Sequence, residues 1–335
     1  MSAGGSGVLK QILFSSSLLA LTLVLLSLAG ICLGSSESSF MDALRALVNA
    51  PQSDPMLHTI IWQLRVPRVL LAGLVGATLS LGGLVFQAIL RNSLAEPYIL
   101  GISGGAAIGA IVGILLGLPR FPGVTLTAFA GSSMTLVLLL MMTSGRSVLK
   151  ESSLLLSGVM VNAFCSAVIM FLVSLTQDTR LHNIIFWLMG DLSQGELVEV
   201  VLMMAMLVHC ILLVFRYANA MNLFLMGRDI AKTMGVNIRV ATLTLLLVTS
   251  LMVSATVSYC GLIGFVGLVI PHLLRLVLGA DHRVLAPACV IGGACFMVAC
   301  DILARTLPAQ GEMPVGVITA MIGAPIFIIL LKRST

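Results

Sequence analysis

The chain has 335 residues, 59% of them apolar and 9% charged, with a formal net charge of +5. A soluble domain carries about 25% charged residues, so this composition excludes a soluble globular protein and defines a polytopic membrane protein. The positive excess is an orientation signal rather than a nucleic-acid footprint, because the basic residues cluster at the ends of apolar runs.

Those runs lie near 11–33, 66–90, 98–117, 122–143, 152–176, 195–215, 239–259, 262–279, 284–305 and 313–331. A bilayer core takes ~20 apolar residues per helix, and the runs are continuous rather than alternating. The expected fold is therefore all-α with about ten transmembrane helices, and a barrel is excluded. The interval 217–239 cannot cross a bilayer, and Arg216, Arg228, Lys232 and Arg239 assign it to the cytoplasm. With an even number of spans both termini are then cytoplasmic. The same side collects Lys10, Arg91, Arg146, Lys150, Arg275, Arg283, Lys332 and Arg333, whereas Glu37, Asp42, Asp54, Asp178, Asp191, Glu196 and Glu199 fall on the outer side.

In chain order, residues 1–10 form a Gly/Ser tail and 11–33 the first span. A cleaved signal peptide is disfavoured, since the run is about twice a usual signal core and no small-x-small site follows. Residues 35–64 form an outer loop with an expected surface helix at Phe40–Val48 and a turn at 51–55. Arg65 and Arg68 follow at the outer mouth of the second span, with Pro67 suited to a first helical turn. Two guanidiniums facing outward suit the carboxylates of a soluble partner, or lipid headgroups.

The third run carries Gly101, Gly105, Gly109, Gly113 and Gly117, a bare stripe on which a neighbouring helix is expected to pack closely. Its Gly101-Ile102-Ser103-Gly104 also matches the box of rhomboid-like intramembrane serine proteases, for which only His209 offers a base; the glycine ladder explains the motif without chemistry. Asn162 and His209 are expected to make interhelical hydrogen bonds. Seven scattered cysteines read as packing residues, and His272 and His282 read as cap or interface residues, so no metal site is expected. A segment beginning at Gly83 matches one beginning at Gly267, each ending in arginine, but both run in the same direction and no inverted repeat follows.

Within 217–239 two helical turns are expected to hinge at Gly227. Met221, Leu223, Leu225 and Met226 precede the hinge, and Arg228, Ile230, Ala231 and Met234 follow it before Gly235 ends the segment. A connecting loop accounts for this pattern. A docking knob for a cytoplasmic partner also accounts for its apolar side chains.

The stretch from Gly261 through Ile270-Pro271-His272 to Arg275 is followed by Gly279-Ala280-Asp281-His282-Arg283, Asp301 with Arg305, Glu312-Met313-Pro314-Val315-Gly316 and Gly323-Ala324-Pro325. Together with Arg65-x-Pro67-Arg68, Arg91-Asn92-x-Leu94-Ala95-Glu96-Pro97 and Trp187-Leu188-x-Gly190, these blocks resemble the permease subunit of ATP-binding-cassette importers for ferric siderophores, haem and cobalamin, the FecCD type. The resemblance covers nearly the whole chain and departs from the family at Ser93, where proline is usual.

This resemblance implies one permease domain over 1–335 in the bacterial inner membrane, a homodimer, two ATPase subunits inside and a substrate-binding protein outside. It implies no cofactor in this chain, with ATP and Mg on the partner. It places the ATPase-coupling segment at Met221–Val236, which favours the docking knob, and binding-protein docking at Arg65, Arg68 and Arg305. Asp301, four residues before Arg305, is an internal partner for that arginine. An ion-coupled secondary carrier is the alternative, but it needs acids in mid-span, and these acids crowd the ends.

Overall fold

A helix buried on every side organises the molecule. In the computed structural model, which describes residues 3–33, 41, 43, 47, 55–143, 151–193, 195, 197–308 and 311–334, every residue from Leu74 to Leu90 is buried. Apolar side chains surround this helix on all faces, so it has no solvent face to satisfy and belongs inside a bundle.

Thirteen helices in the described residues are labelled here. They are α1 (Ala3–Cys32), α2 (Val66–Leu90), α3 (Ile102–Leu115), α4 (Thr125–Thr143), α5 (Glu151–Ser174), α6 (Asp178–Met189) and α7 (Leu197–Arg216), then α8 (Ala218–Met226), α9 (Arg228–Thr233), α10 (Ile238–Cys260), α11 (Val266–Leu278), α12 (His282–Thr306) and α13 (Val315–Ser334). A short turn, Pro55–Thr59, and a π-helical stretch, Ile60–Arg65, lead into α2. Seven helical stretches are long and apolar enough to cross a membrane, and α3, α11 and Val315–Leu330 of α13 are shorter apolar helices. The ten expected runs thus each meet a helix. Arg146 and Lys150, the turn at 51–55 and most of the expected Phe40–Val48 helix lie outside the described residues; Met41, Ala43 and Leu47 are helical.

Around α2 stand α12, α10, α11 and α7, with α1 laid against α12. Glycines permit the closest approaches. A Cβ on Gly76 would meet the Gly293 carbonyl oxygen at 2.1 Å, and one on Gly83 would meet that of Gly267 at 1.8 Å. The two matching segments of the sequence therefore touch at their first residues, and Arg275 closes the pair by donating to Gln87 Oε1 at 2.9 Å.

The stripe on α3 divides between two neighbours. Gly105, Gly109 and Gly113 lie against α4, where added Cβ atoms would meet Thr135 Oγ1 at 2.0 Å, Thr127 O at 2.1 Å and Thr127 Oγ1 at 2.5 Å. Gly101 lies against Val161 of α5 with φ +77°, and Gly117 has open space around it and φ +72°. Gly117 is thus a departure from the expected ladder: it ends the helix by its left-handed backbone.

Two expected spans begin with backbone that is not helical. Helix α11 has 13 residues, ~20 Å at 1.5 Å per residue, and the stretch 261–265 before it is irregular, with positive φ at Gly261 and Phe265. Helix α3 has 14 residues and follows a 3-10 turn, Pro97–Leu100. Backbone of this kind persists at membrane depth only where protein satisfies it. Here the Tyr98 hydroxyl donates to the Ile263 carbonyl at 2.7 Å and accepts from the Ile263 N–H at 2.9 Å, so one side chain joins the two interruptions. At Phe265, φ is +69°, and a Cβ on Gly323 would meet the Phe265 Cβ at 2.5 Å; the glycine leaves room for the aromatic side chain.

Helix α6 has no counterpart among the expected runs. It is too short to span, and it docks through Ile184 and Trp187, both buried, between α3 and α13.

Candidate functional site

The end carrying Arg91, Arg216, Lys232, Arg275 and Arg283 is here called the basic end. There, α8 and α9 form the two-turn unit expected at 217–239, joined at Gly227 with φ +118°. Gly235 has φ +84°, and neither glycine has an atom within 4 Å of an added Cβ, so both serve backbone conformation rather than packing. The apolar residues split by role. Met221 and Ala231 are buried and anchor the unit, Leu223 and Arg228 are half-buried, and Leu225, Met226, Ile230 and Met234 are 41%, 65%, 48% and 67% exposed. These exposed apolar side chains lie beside basic residues on two short helices at the basic end of the bundle.

Asn222 belongs to the same helix and escaped the sequence reading. Its Nδ2 donates to Asp281 Oδ1 at 2.8 Å, and its Oδ1 accepts from the His282 N–H at 2.8 Å. Asp281 caps α12 by accepting from the Arg283 N–H at 2.9 Å. Hydrogen bonds from the Arg283 side chain, with help from the Arg283 N–H and Asn222, hold its carboxyl down to about 2. Because the folded value lies below the unfolded ~3.9, the stabilisation is complete above the unfolded value and is lost as pH falls from there through about 2. The cap is therefore charged under all physiological conditions.

At the opposite end, Arg65, Arg68 and Arg305, expected at an outward-facing mouth, have their side chains inside the chain. Their exposures are 6%, 7% and 4%, and each guanidinium is engaged inside the chain. Arg68 Nε donates to Asp301 Oδ1 at 2.9 Å and its Nη1 to Glu312 Oε2 at 2.5 Å. Arg305 Nη2 lies 3.1 Å from Asp301 Oδ2 and donates to the Gly30 carbonyl at 3.0 Å. Arg65 Nη1 donates to the Ile31 and Cys32 carbonyls at 2.9 and 3.0 Å. The cause is the end of α1, whose last carbonyls lack helical partners and form the negative pole of its dipole. Arg65 and Arg305 cap that end, and Asp301, fully buried, neutralises the remaining charge. The pairing of Asp301 with Arg305 was visible at i,i+4 spacing; that of Arg68 with Glu312 was not.

A cavity of about 540 Å³ opens near α6, lined by residues that include Arg120, Arg180, His182, Asn183, Trp187 and Asp191. Its cations are committed to the wall. Arg120 reaches Asp191 Oδ2 at 3.2 Å and the Asp191 carbonyl at 3.1 Å, and Arg180 donates to the Leu115 carbonyl.

The remaining candidates separate. His209 is exposed and its Nδ1 sits 3.1 Å from the Ala205 carbonyl of its own helix. Asn162 is also exposed, so the interhelical bonds expected of both give way to positions on open helix faces. Ser103 is buried on α3 and no hydrogen bond joins it to His209 among the described residues. His282 binds Asn222, and His272 stands edge-on to Phe327 at 6.2 Å. All seven cysteines are free and buried, and no cluster of three metal-ligating side chains occurs among the described residues.

A helical bundle with two short helices bearing exposed apolar side chains at its basic end and a charge-locked opposite end has the architecture of a multi-pass membrane protein. The chain belongs to the FecCD transport family, which it matches over residues 20–333. It is 38% identical over 323 residues to the hemin transport system permease protein HmuU of Yersinia pestis, covering 94% of each chain. It is 41% identical over 275 residues to the vitamin B12 import system permease protein BtuC of Klebsiella pneumoniae, covering 82% of each. Its fold matches a solved metal-chelate type ABC transporter in an inward-facing conformation with a TM-score of 0.85 and 30% identity, over 95% of this chain and 98% of that one. The protein is thus an inner-membrane permease of the ATP-binding-cassette class, and the secondary-carrier and protease readings fall away.

Proposed function

We propose that two copies of this chain form an importer for an iron chelate, either a ferric siderophore or haem, or for cobalamin. Two ATPase subunits bind at the basic end and carry the ATP and Mg, both termini lie on that cytoplasmic side, and a soluble binding protein delivers the substrate at the other end. The observation that carries this is the exposed apolar surface of Leu225, Met226, Ile230 and Met234 on α8 and α9. Arg65, Arg68 and Arg305 then act at the outer end by holding the docking surface in shape. The chain's likeness to permeases named for hemin and for vitamin B12 supports this range of cargo.

The test is co-purification of the tagged chain with its ATPase from mild detergent. Replacing Met226 and Met234 together by glutamate buries two charges in the contact, and loss of apolar anchors at an interface core costs about 2 kcal/mol or more. ATPase recovery is expected to fall at least about tenfold, with helical content unchanged. Full recovery by the double variant overturns the docking assignment. Uptake of haem, a ferric siderophore and cobalamin into proteoliposomes then assigns the cargo.

A further inference from the structure

Helix α8 is fastened to the bundle by apolar contacts and by one polar side chain. Met221 and Phe224 sink into the core, but burial is non-directional and lets a helix slide or roll. Asn222 does not allow this. Its Nδ2 holds Asp281 Oδ1 at 2.8 Å, while its Oδ1 takes both the His282 N–H and His282 Nδ1, each at 2.8 Å. An amide oxygen only accepts, so Nδ1 carries the proton in this arrangement. All three bonds end on the first residues of α12 or on its cap.

Helix α12 is the receiving element. It has 25 residues, ~37 Å of rise. Midway it meets α2 backbone to backbone, where a Cβ on Gly293 would lie 2.3 Å from the Gly76 carbonyl oxygen. Its far end is pinned where Asp301 meets Arg68 and Arg305 at 2.9 and 3.1 Å. A displacement of α8 either breaks three hydrogen bonds together or carries the start of α12 with it, and α12 and α2 are joined along their length. The contact is therefore a route from the partner-facing helices to the opposite end, with a named first step.

We infer that Asn222 is the positioning residue that converts movement of α8 into movement of α12, and so ties ATP hydrolysis on the partner to substrate movement. The inference rests on α8 and α9 being the ATPase-docking unit. No residue of the exposed patch performs this role, since Leu225, Met226, Ile230 and Met234 face away from the bundle.

The test uses the assembled permease–ATPase complex in proteoliposomes, with whichever of haem, a ferric siderophore and cobalamin the wild-type complex takes up, and reads substrate moved per ATP hydrolysed. Asn222→Asp sets two carboxylates about 2.8 Å apart, and a ratio at least about tenfold below wild type is expected, since that is ~1.4 kcal/mol of lost coupling. The exchange Asn222→Asp with Asp281→Asn restores a donor opposite an acceptor and keeps a capping side chain on α12, so the ratio should return to within about twofold of wild type. A merely structural role lowers the amount of assembled complex and leaves its ratio of substrate moved to ATP hydrolysed at the wild-type value. A normal ratio for Asn222→Asp, or an exchanged pair that assembles but stays uncoupled, overturns the inference. Should Asn222→Asp not assemble, Asn222→Ala removes the bonds without repulsion, and a normal ratio there overturns it equally. A wild-type chain that brings down no ATPase fails the docking reading before any variant is made, so the two failures are distinct.

Discussion

Replacing Asp301 by alanine is expected to lower the stability of the permease by about 3–5 kcal/mol, the usual cost of removing one partner from a buried ion pair. The carboxylate is completely buried and contacts two guanidiniums, those of Arg68 and Arg305, that are themselves almost fully buried. Without it Arg68 keeps Glu312, whose side chain is 34% exposed, and Arg305 keeps only carbonyls of α1 and α12. Arg305 is therefore the side chain left with an uncompensated charge. Thermal unfolding in detergent, followed by helical signal, measures the effect. Substituting Arg305 by methionine on top of Asp301→Leu should recover part of the loss, because a well-packed apolar pair need not be worse than a buried ionic one. A single variant that melts with the wild type would show that the charges are hydrated in the membrane.

Substitution of Gly83 by leucine is the second large effect expected. A Cβ there meets Gly267 O at 1.8 Å and Gly267 Cα at 2.5 Å, and both obstacles are backbone. Overpacking a core typically costs 1–3 kcal/mol when side chains can rearrange; separating two helices at the centre of the bundle should exceed about 3 kcal/mol and leave little folded permease. Gly264, three residues before Gly267, supplies the contrast. Nothing lies within 4 Å of its added Cβ, so Gly264→Ala should change stability by no more than about 0.5 kcal/mol. Yield of monodisperse protein from membranes reads both, and equal yields for the two variants would refute the distinction.

The class of fold was legible because a bilayer imposes length and apolarity on each span, and ten continuous runs satisfy both. The two-helix unit at 217–239 was legible for a local reason: Gly227 and Gly235 adopt positive φ, +118° and +84°, which other residues rarely adopt, so they punctuate the sequence where the chain turns. Helix α6 was missed because 12 residues between two spans lack the length that marks the others, and its dock through Ile184 and Trp187 is a tertiary fact. The internal bonding of Arg65, Arg68 and Arg305 was not legible. Position along a span fixes depth, whereas the direction of a side chain depends on what ends nearby, here the carbonyls of α1. Glu312 and Asn222 had no local signal, since their partners lie 244 and about 60 residues away.

The shortness of α3 and α11 bears on how the chain enters the membrane. With 14 and 13 residues, neither reaches across a hydrocarbon core of about 30 Å, and each is preceded by peptide groups that hydrocarbon does not satisfy. Neither is a segment that an insertion machinery can release into lipid alone. Helix α11 needs Tyr98 to take up Ile263, and Tyr98 is already made when α11 emerges. Nascent chains long enough for α11 and residues 279–283 to have left the ribosome, but arrested before α13 emerges, should accordingly hold α11 poorly when Tyr98 is phenylalanine, a difference that site-directed labelling of residues 279–283 would register. The order of synthesis places the clasp before the segment that needs it.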